Sequence, residues 1–173
     1  MSIFPSFHFL FLQPQNLLNV LGDFNQTGGD SFYNSIYGEV WAHDSGVVAL
    51  TEDVYSNFTN LTMGNINGFQ FNVSGNNELV SNHSGMLSIN SQFSFNGAAN
   101  TEYHLALAIG GQRILQCHTE RKIGTGNDVG SASITCLCPI TAGDAITAMV
   151  ENTDSDADVT IHDINLNIVR IGN

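Results

Sequence analysis

The chain has 173 residues and a mass of 18.7 kDa, enough for one domain that buries roughly 70% of its unfolded surface. Sixteen acidic residues stand against four basic ones for a net charge of −12, and every Lys or Arg lies at or after Arg113. Such a surface repels phosphate and anionic lipid, which excludes nucleic-acid binding by counterion release, while 42% hydrophobic residues exclude a disordered chain.

Residues 1–31 read as a hydrophobic arm and linker. Phe4, Phe7, Phe9, Leu10, Phe11 and Leu12 crowd the start of the chain. No basic residue precedes this run and no small-residue cleavage site follows it, so it is expected to be an arm rather than an export signal. Pro5, His8 and Pro14 interrupt it, and it is too short to span a membrane. Six large apolar side chains must be buried against protein, each contributing about 1.5–3 kcal/mol. Gln15 to Leu21 has helical spacing with Gly22 as its stop, and Asp23 to Ser31 reads as a linker.

From Gly38 onward the pattern has period two, which predicts, within a domain of residues 36–173, about eight to ten antiparallel strands and no intervening helices, a β-sandwich or barrel. Glu39 to Ala42, Val47 to Leu50, Phe69 to Val73 and Asn77 to Val80 are its early strands. In Met86 to Phe95, the residues Leu87, Ile89, Phe93 and Phe95 share one face. Tyr103 to Ile109 runs into Gly110-Gly111, which accepts the positive φ of a primed turn, and predicts a tight hairpin with Arg113 to Glu120. Ala132, Ile134, Cys136 and Cys138 align on one face, and Ile146, Ala148 and Val150 do so after the turn Thr141 to Asp144. In the last strand Val159 and Ile161 have one parity, and Ile164, Leu166 and Ile168 the other. A bulge near His162-Asp163 would keep both sets in the core.

Three cysteines allow at most one bridge, and Cys117, Cys136 and Cys138 read first as small buried hydrophobes. A zinc site from Cys117, His118, Cys136 and Cys138 is disfavoured, because Cys117 and His118 face opposite ways on a strand. Asp154, Asp156 and Asp158 alternate in a loop and are weak candidates for calcium, against the simpler reading of a solvated acidic turn. No hydrolase elbow, zinc-protease helix or phosphate loop occurs, and the adjacent pairs His43-Asp44 and His162-Asp163 carry little weight as catalysts, so neither an enzyme nor a cofactor is expected. Five Asn-x-Ser/Thr sequons, at Asn25, Asn57, Asn60, Asn72 and Asn82, are read as unmodified surface.

Residues Gly38 to Ile171 resemble the tumour necrosis factor-like jelly roll, the fold of complement-type globular heads that is also found in phage head fibres and decoration proteins. The resemblance is carried by Ser84-Gly85-Met86-Leu87-Ser88-Ile89, by Tyr103 to Gly111, by Thr141-Ala142-Gly143-Asp144-Ala145-Ile146 and by the closing strand Leu166 to Ile171. It implies a homotrimer about a threefold axis. The short arm fits a viral member, which gives the expectation of a non-enzymatic capsid decoration protein on the virion surface, with the major capsid protein or another virion protein as its partner. The arm residues Phe4, Phe7, Phe9, Leu10, Phe11 and Leu12 would make that contact. The alternative is a fibre knob that binds a receptor or glycan through loops such as Asn57-Phe58 or Glu120 to Asp128. A secreted trimeric ligand would need an export signal.

Overall fold

The computed structural model describes residues 35–73, 77–125 and 128–172. The hydrophobic arm, the expected helix at Gln15 to Leu21 and the linker lie outside the described residues. The remainder is a sandwich of two antiparallel sheets with no helix among the described residues, as the alternating pattern predicts, and it has the jelly-roll form that the resemblance implies.

Eleven strands are present among the described residues: β1 Tyr37–Val48, β2 Ser56–Asn57, β3 Thr62–Asn67, β4 Phe69–Asn72, β5 Glu78–Ser81, β6 Gly85–Asn96, β7 Glu102–Ile109, β8 Gln112–Lys122, β9 Val129–Ile140, β10 Ala145–Asn152 and β11 Val159–Gly172. The first sheet has the order β3-β1-β11-β6-β9 and the second β4-β5-β10-β7-β8, with β2 added against β10. Apart from the neighbouring pairs β4-β5 and β7-β8, the chain from β3 onward passes from one sheet to the other at each step, and the side chains between the two layers make one core. Leu87, Ile89, Phe93 and Phe95 point into it from β6, as their spacing requires.

Two local expectations are met in detail. Gly110 and Gly111 both have positive φ, 56° and 77°, and close the β7-β8 hairpin. The parity change in β11 is absorbed by a register shift between Ile161 and Asp163 against β6. The neighbouring strand answers it: β1 shifts between His43 and Gly46, with Asp44 and Gly46 in the left-handed region. Consequently the two early segments, Glu39 to Ala42 and Val47 to Leu50, are mostly one bulged strand rather than two.

Three expectations are corrected. β10 is buried along nearly its whole length, not on one face, and it runs inside its sheet, paired with β7 on one side and with β5 and β2 on the other. Phe58 is not a loop-tip contact. Its ring is fully buried and stacked on Phe93 with centroids 5.5 Å apart, and its N–H donates to the Ala148 carbonyl at 3.1 Å. Finally, Cys117 and Cys136 are not independent apolar fillers: they form a disulfide between β8 and β9, the edge strands of opposite sheets. Cys138 remains a buried free thiol, and its desolvation pushes its pKa up.

Candidate functional site

Alternation in β1 sends Val40 and Ala42 inward and leaves Tyr37, Glu39, Trp41 and His43 on the outer face of the first sheet. The antiparallel register sets these opposite Val169, Asn167, Asn165 and Asp163 of β11. β6 adds Asn90 and Gln92, and β9 adds Ser131, Ser133, Thr135 and Leu137. The result is a face with two characters. Near one end Tyr37, Leu137, Val169 and Ile171 are exposed, Leu137 and Ile171 each by 56%. Toward the other end the face dips into a groove of about 850 Å³ bordered by Trp41, Glu39, His43, Gln92, Ser133 and Asp163.

Between these ends the side chains are amides and hydroxyls that bond one another. Asn165 Nδ2 donates to Glu39 Oε1 at 3.3 Å, Thr135 donates to Asn90 Oδ1 at 3.0 Å, and Asn167 donates to Asn165. Trp41, 41% exposed, supplies a flat apolar platform beside them. An aromatic ring with neutral hydrogen-bonding groups and carboxylates suits an uncharged polar ligand or a protein surface and disfavours an anion.

His43 stands between two carboxylates at the border of the groove. Its Nδ1 lies 2.7 Å from Asp163 Oδ1 and its Nε2 3.4 Å from Asp44 Oδ2, so carboxylates face both ring nitrogens and neither is turned to a serine. The hydrogen bond to Asp163, then the charges of Asp44 and Asp163, raise the His43 pKa above its ordinary value. The sequence pairs His43 with Asp44 and His162 with Asp163. The fold keeps the first pair, adds Asp163 to His43 because their strands are neighbours, and sets His162 Nδ1 3.9 Å from Asp44.

The acidic loop is not a loosely solvated turn, and its carboxylates do not converge. Asp154 accepts the Glu102 N–H at 2.8 Å, Asp156 the Glu52 N–H at 2.7 Å and Asp158 the Leu50 N–H at 3.0 Å. They latch the loop to the start of β7 and to the chain after β1. Asn152, fully buried, organises the loop from inside. Its Oδ1 accepts from the N–H groups of Asp154 and Ser155, and its Nδ2 donates to Ser155 Oγ and the Ala157 carbonyl. Asn152→Ala is expected to cost about 1–3 kcal/mol, since it strips partners from buried backbone groups. Urea unfolding should show a lower midpoint with an unchanged slope.

The arm residues Phe4, Phe7, Phe9, Leu10, Phe11 and Leu12 lie outside the described residues. Among the described residues, no helix is long and apolar enough to cross a membrane.

No protein-family description matches the sequence, and no curated protein matches it. Solved structures do share its fold. Eiger TNF from S. frugiperda superposes with a TM-score of 0.59 at 14% identity, over 81% of this chain and 94% of that one. Murine APRIL superposes with a TM-score of 0.55 at 13% identity, over 78% of this chain and 99% of that one. At these identities the likeness is one of fold.

Proposed function

We propose that the chain is a non-enzymatic virion protein, a homotrimer that decorates or cements a capsid. The observation that carries the self-association is the outer face of the first sheet, where Tyr37, Trp41, Leu137 and Val169 stand exposed among self-bonded amides. A second and third copy cover that face at little desolvation cost, because its polar groups are already paired with one another. Three arms then engage three lattice positions at once, so modest contacts by Phe4, Phe7, Phe9, Leu10, Phe11 and Leu12 on the major capsid protein are multiplied by effective concentration. A charge of −12 per chain keeps the particle soluble and limits non-specific adhesion. The Cys117–Cys136 bridge suits a protein that works outside the reducing interior of a cell.

Light scattering of the purified protein should give three times 18.7 kDa. Trp41→Glu combined with Val169→Glu should reduce that mass to one subunit, because two carboxylates would be buried without partners in every interface. A wild-type protein that runs as a single subunit overturns the trimer. Decoration itself is tested by saturable binding to undecorated capsids, lost when residues 1–31 are deleted while the trimer persists.

The rival reading is a glycan- or receptor-binding knob, and it is favoured by the groove. Trp41 beside Glu39, Gln92 and Asp163 has the aromatic-plus-amide composition of a sugar subsite. Binding to host cells with none to capsids, abolished by Trp41→Ala, selects it.

A further inference from the structure

Two histidines and three glutamates from three adjacent strands meet on the outer face of the second sheet. Glu102 and His104 lie on β7, His118 and Glu120 on β8, and Glu151 on β10. The register sets His104 directly opposite Glu120 on one side and Glu151 on the other, while small Ala106 opposes His118 and leaves room for its ring. The two imidazole centroids are 6.3 Å apart.

The distances match a metal polyhedron. His104 Nε2 lies 3.0 Å from Glu102 Oε1 and 3.8 Å from Glu120 Oε1, and His118 Nε2 lies 3.3 Å from that same Glu120 oxygen. In a tetrahedral site with bonds near 2.05 Å, neighbouring ligand atoms are about 3.3 Å apart. Glu102, His104 and Glu120 each offer a ligand atom within 4.8 Å of the others; His118 stands outside that trio and reaches it through Glu120.

A second and independent feature is the way both rings are held from behind. His104 Nδ1 faces Glu151 Oε1 at 3.2 Å, and that glutamate is 92% buried. His118 Nδ1 faces the Leu115 carbonyl at 3.2 Å. A carbonyl oxygen only accepts, so the His118 Nδ1 donates to it, and a metal ion would take the place of a proton between Nε2 and Glu120. Carboxylates face both nitrogens of His104, Glu151 at Nδ1 and Glu102 at Nε2. An acceptor behind Nδ1 is the outer-shell pattern of metal-binding histidines, and the two Nε2 atoms face the carboxylates of Glu102 and Glu120. Three carboxylates gather here, and Lys122, opposite Glu102, is the cation that the ladder sets across from them.

We propose that Glu102, His104, His118 and Glu120 bind one divalent transition-metal ion of the zinc type, with Glu151 and the Leu115 carbonyl as positioning groups. The mixed nitrogen and oxygen donors select zinc, nickel or copper over calcium and magnesium. The ion would clamp β8, an edge strand bonded only to β7 within its sheet, from the outside. The disulfide at the preceding residue, Cys117, already holds the same strand from the inside.

The test uses the full chain, stripped with chelator, dialysed and titrated with zinc chloride at neutral pH by calorimetry, with cobalt(II) absorption as a second readout. Uptake of one ion per chain, a tetrahedral cobalt spectrum and a saturable rise in Tm are expected. His118→Asn, at a partly exposed position that folding tolerates, should abolish saturable uptake. Glu151→Gln should weaken it by about tenfold, the usual effect of losing an outer-shell partner. His43→Ala, at the other histidine–carboxylate cluster, should leave it unchanged. Absence of saturable uptake overturns the proposal. Uptake that survives His118→Asn with an unaltered cobalt spectrum, or that disappears in His43→Ala, overturns it equally.

Discussion

Phe58→Ala is expected to lower the unfolding free energy by about 3–5 kcal/mol, the range for a buried aromatic truncated in a core that relaxes only partly. The ring is fully buried and stacked on Phe93, which itself projects from the central region of β6. Truncation removes the stacking and opens a cavity between the two sheets beneath β2. The backbone bond from Phe58 to the Ala148 carbonyl anchors β2 against β10, so the strand's pairing is expected to loosen as well. The same substitution decides between two roles for this segment. A recognition residue loses binding and keeps stability, whereas a core residue loses stability. Denaturant unfolding gives the answer directly: a loss under about 1 kcal/mol would mean that the pocket collapses around the missing ring or that Phe58 is not core.

Phe58 also shows which parts of the fold the sequence makes legible. It stands in the polar stretch Ser56-Asn57-Phe58-Thr59-Asn60, and β2 has only two residues, too few for any alternation to appear. Its burial depends on pairing with β10, some ninety residues away, which no local signal encodes. By contrast, the strands β6, β7 and β11 alternate over eight residues or more, and their core faces follow from period two alone. The bulge in β11 was legible for the same reason, because a change of parity has few other physical explanations.

The histidine cluster lies between these cases. The shared faces of Glu102 with His104 and of His118 with Glu120 can be read from their spacing, but not their juxtaposition. The turn pairs Ile109 with Gln112 and Ala108 with Arg113. Continued unchanged, that register would set His104 opposite Cys117. A shift between Ala106 and Ala108 instead brings Glu120 opposite His104 and Ala106 opposite His118. A β-bulge in the longer strand decides whether the imidazoles share a side with the carboxylates, and nothing in the local sequence marks it. The Trp41 face was missed for a different reason. Trp41 and Asn165 lie at opposite ends of the domain sequence and meet only because β1 and β11 are neighbours.

The disulfide gives the last large effect. Joining Cys117 to Cys136 closes a loop with a sequence separation of 19, and the chain-entropy treatment of a loop of that size gives about 3 kcal/mol of stabilisation through the unfolded state. For a domain of this size a loss of about 3 kcal/mol lowers Tm by roughly 10 °C. The double substitution Cys117→Ala and Cys136→Ala, and the wild-type protein in excess reductant, should therefore unfold at similarly reduced temperatures with chelator present. Cys138→Ala provides the control, since it removes a buried thiol without touching the loop and should cost no more than about 1 kcal/mol. The location sharpens the expectation. β8 and β9 are the edges of opposite sheets, so this bond is the covalent tie across one open side of the sandwich. Once it is cut, amide exchange should accelerate first in β8, whose only ladder is with β7, and later in β9, which keeps its twelve-residue pairing with β6. Uniform loss of protection throughout the molecule would place the effect in the unfolded chain alone. An unchanged Tm on reduction would mean that the two sheets hold together at that side without the bridge.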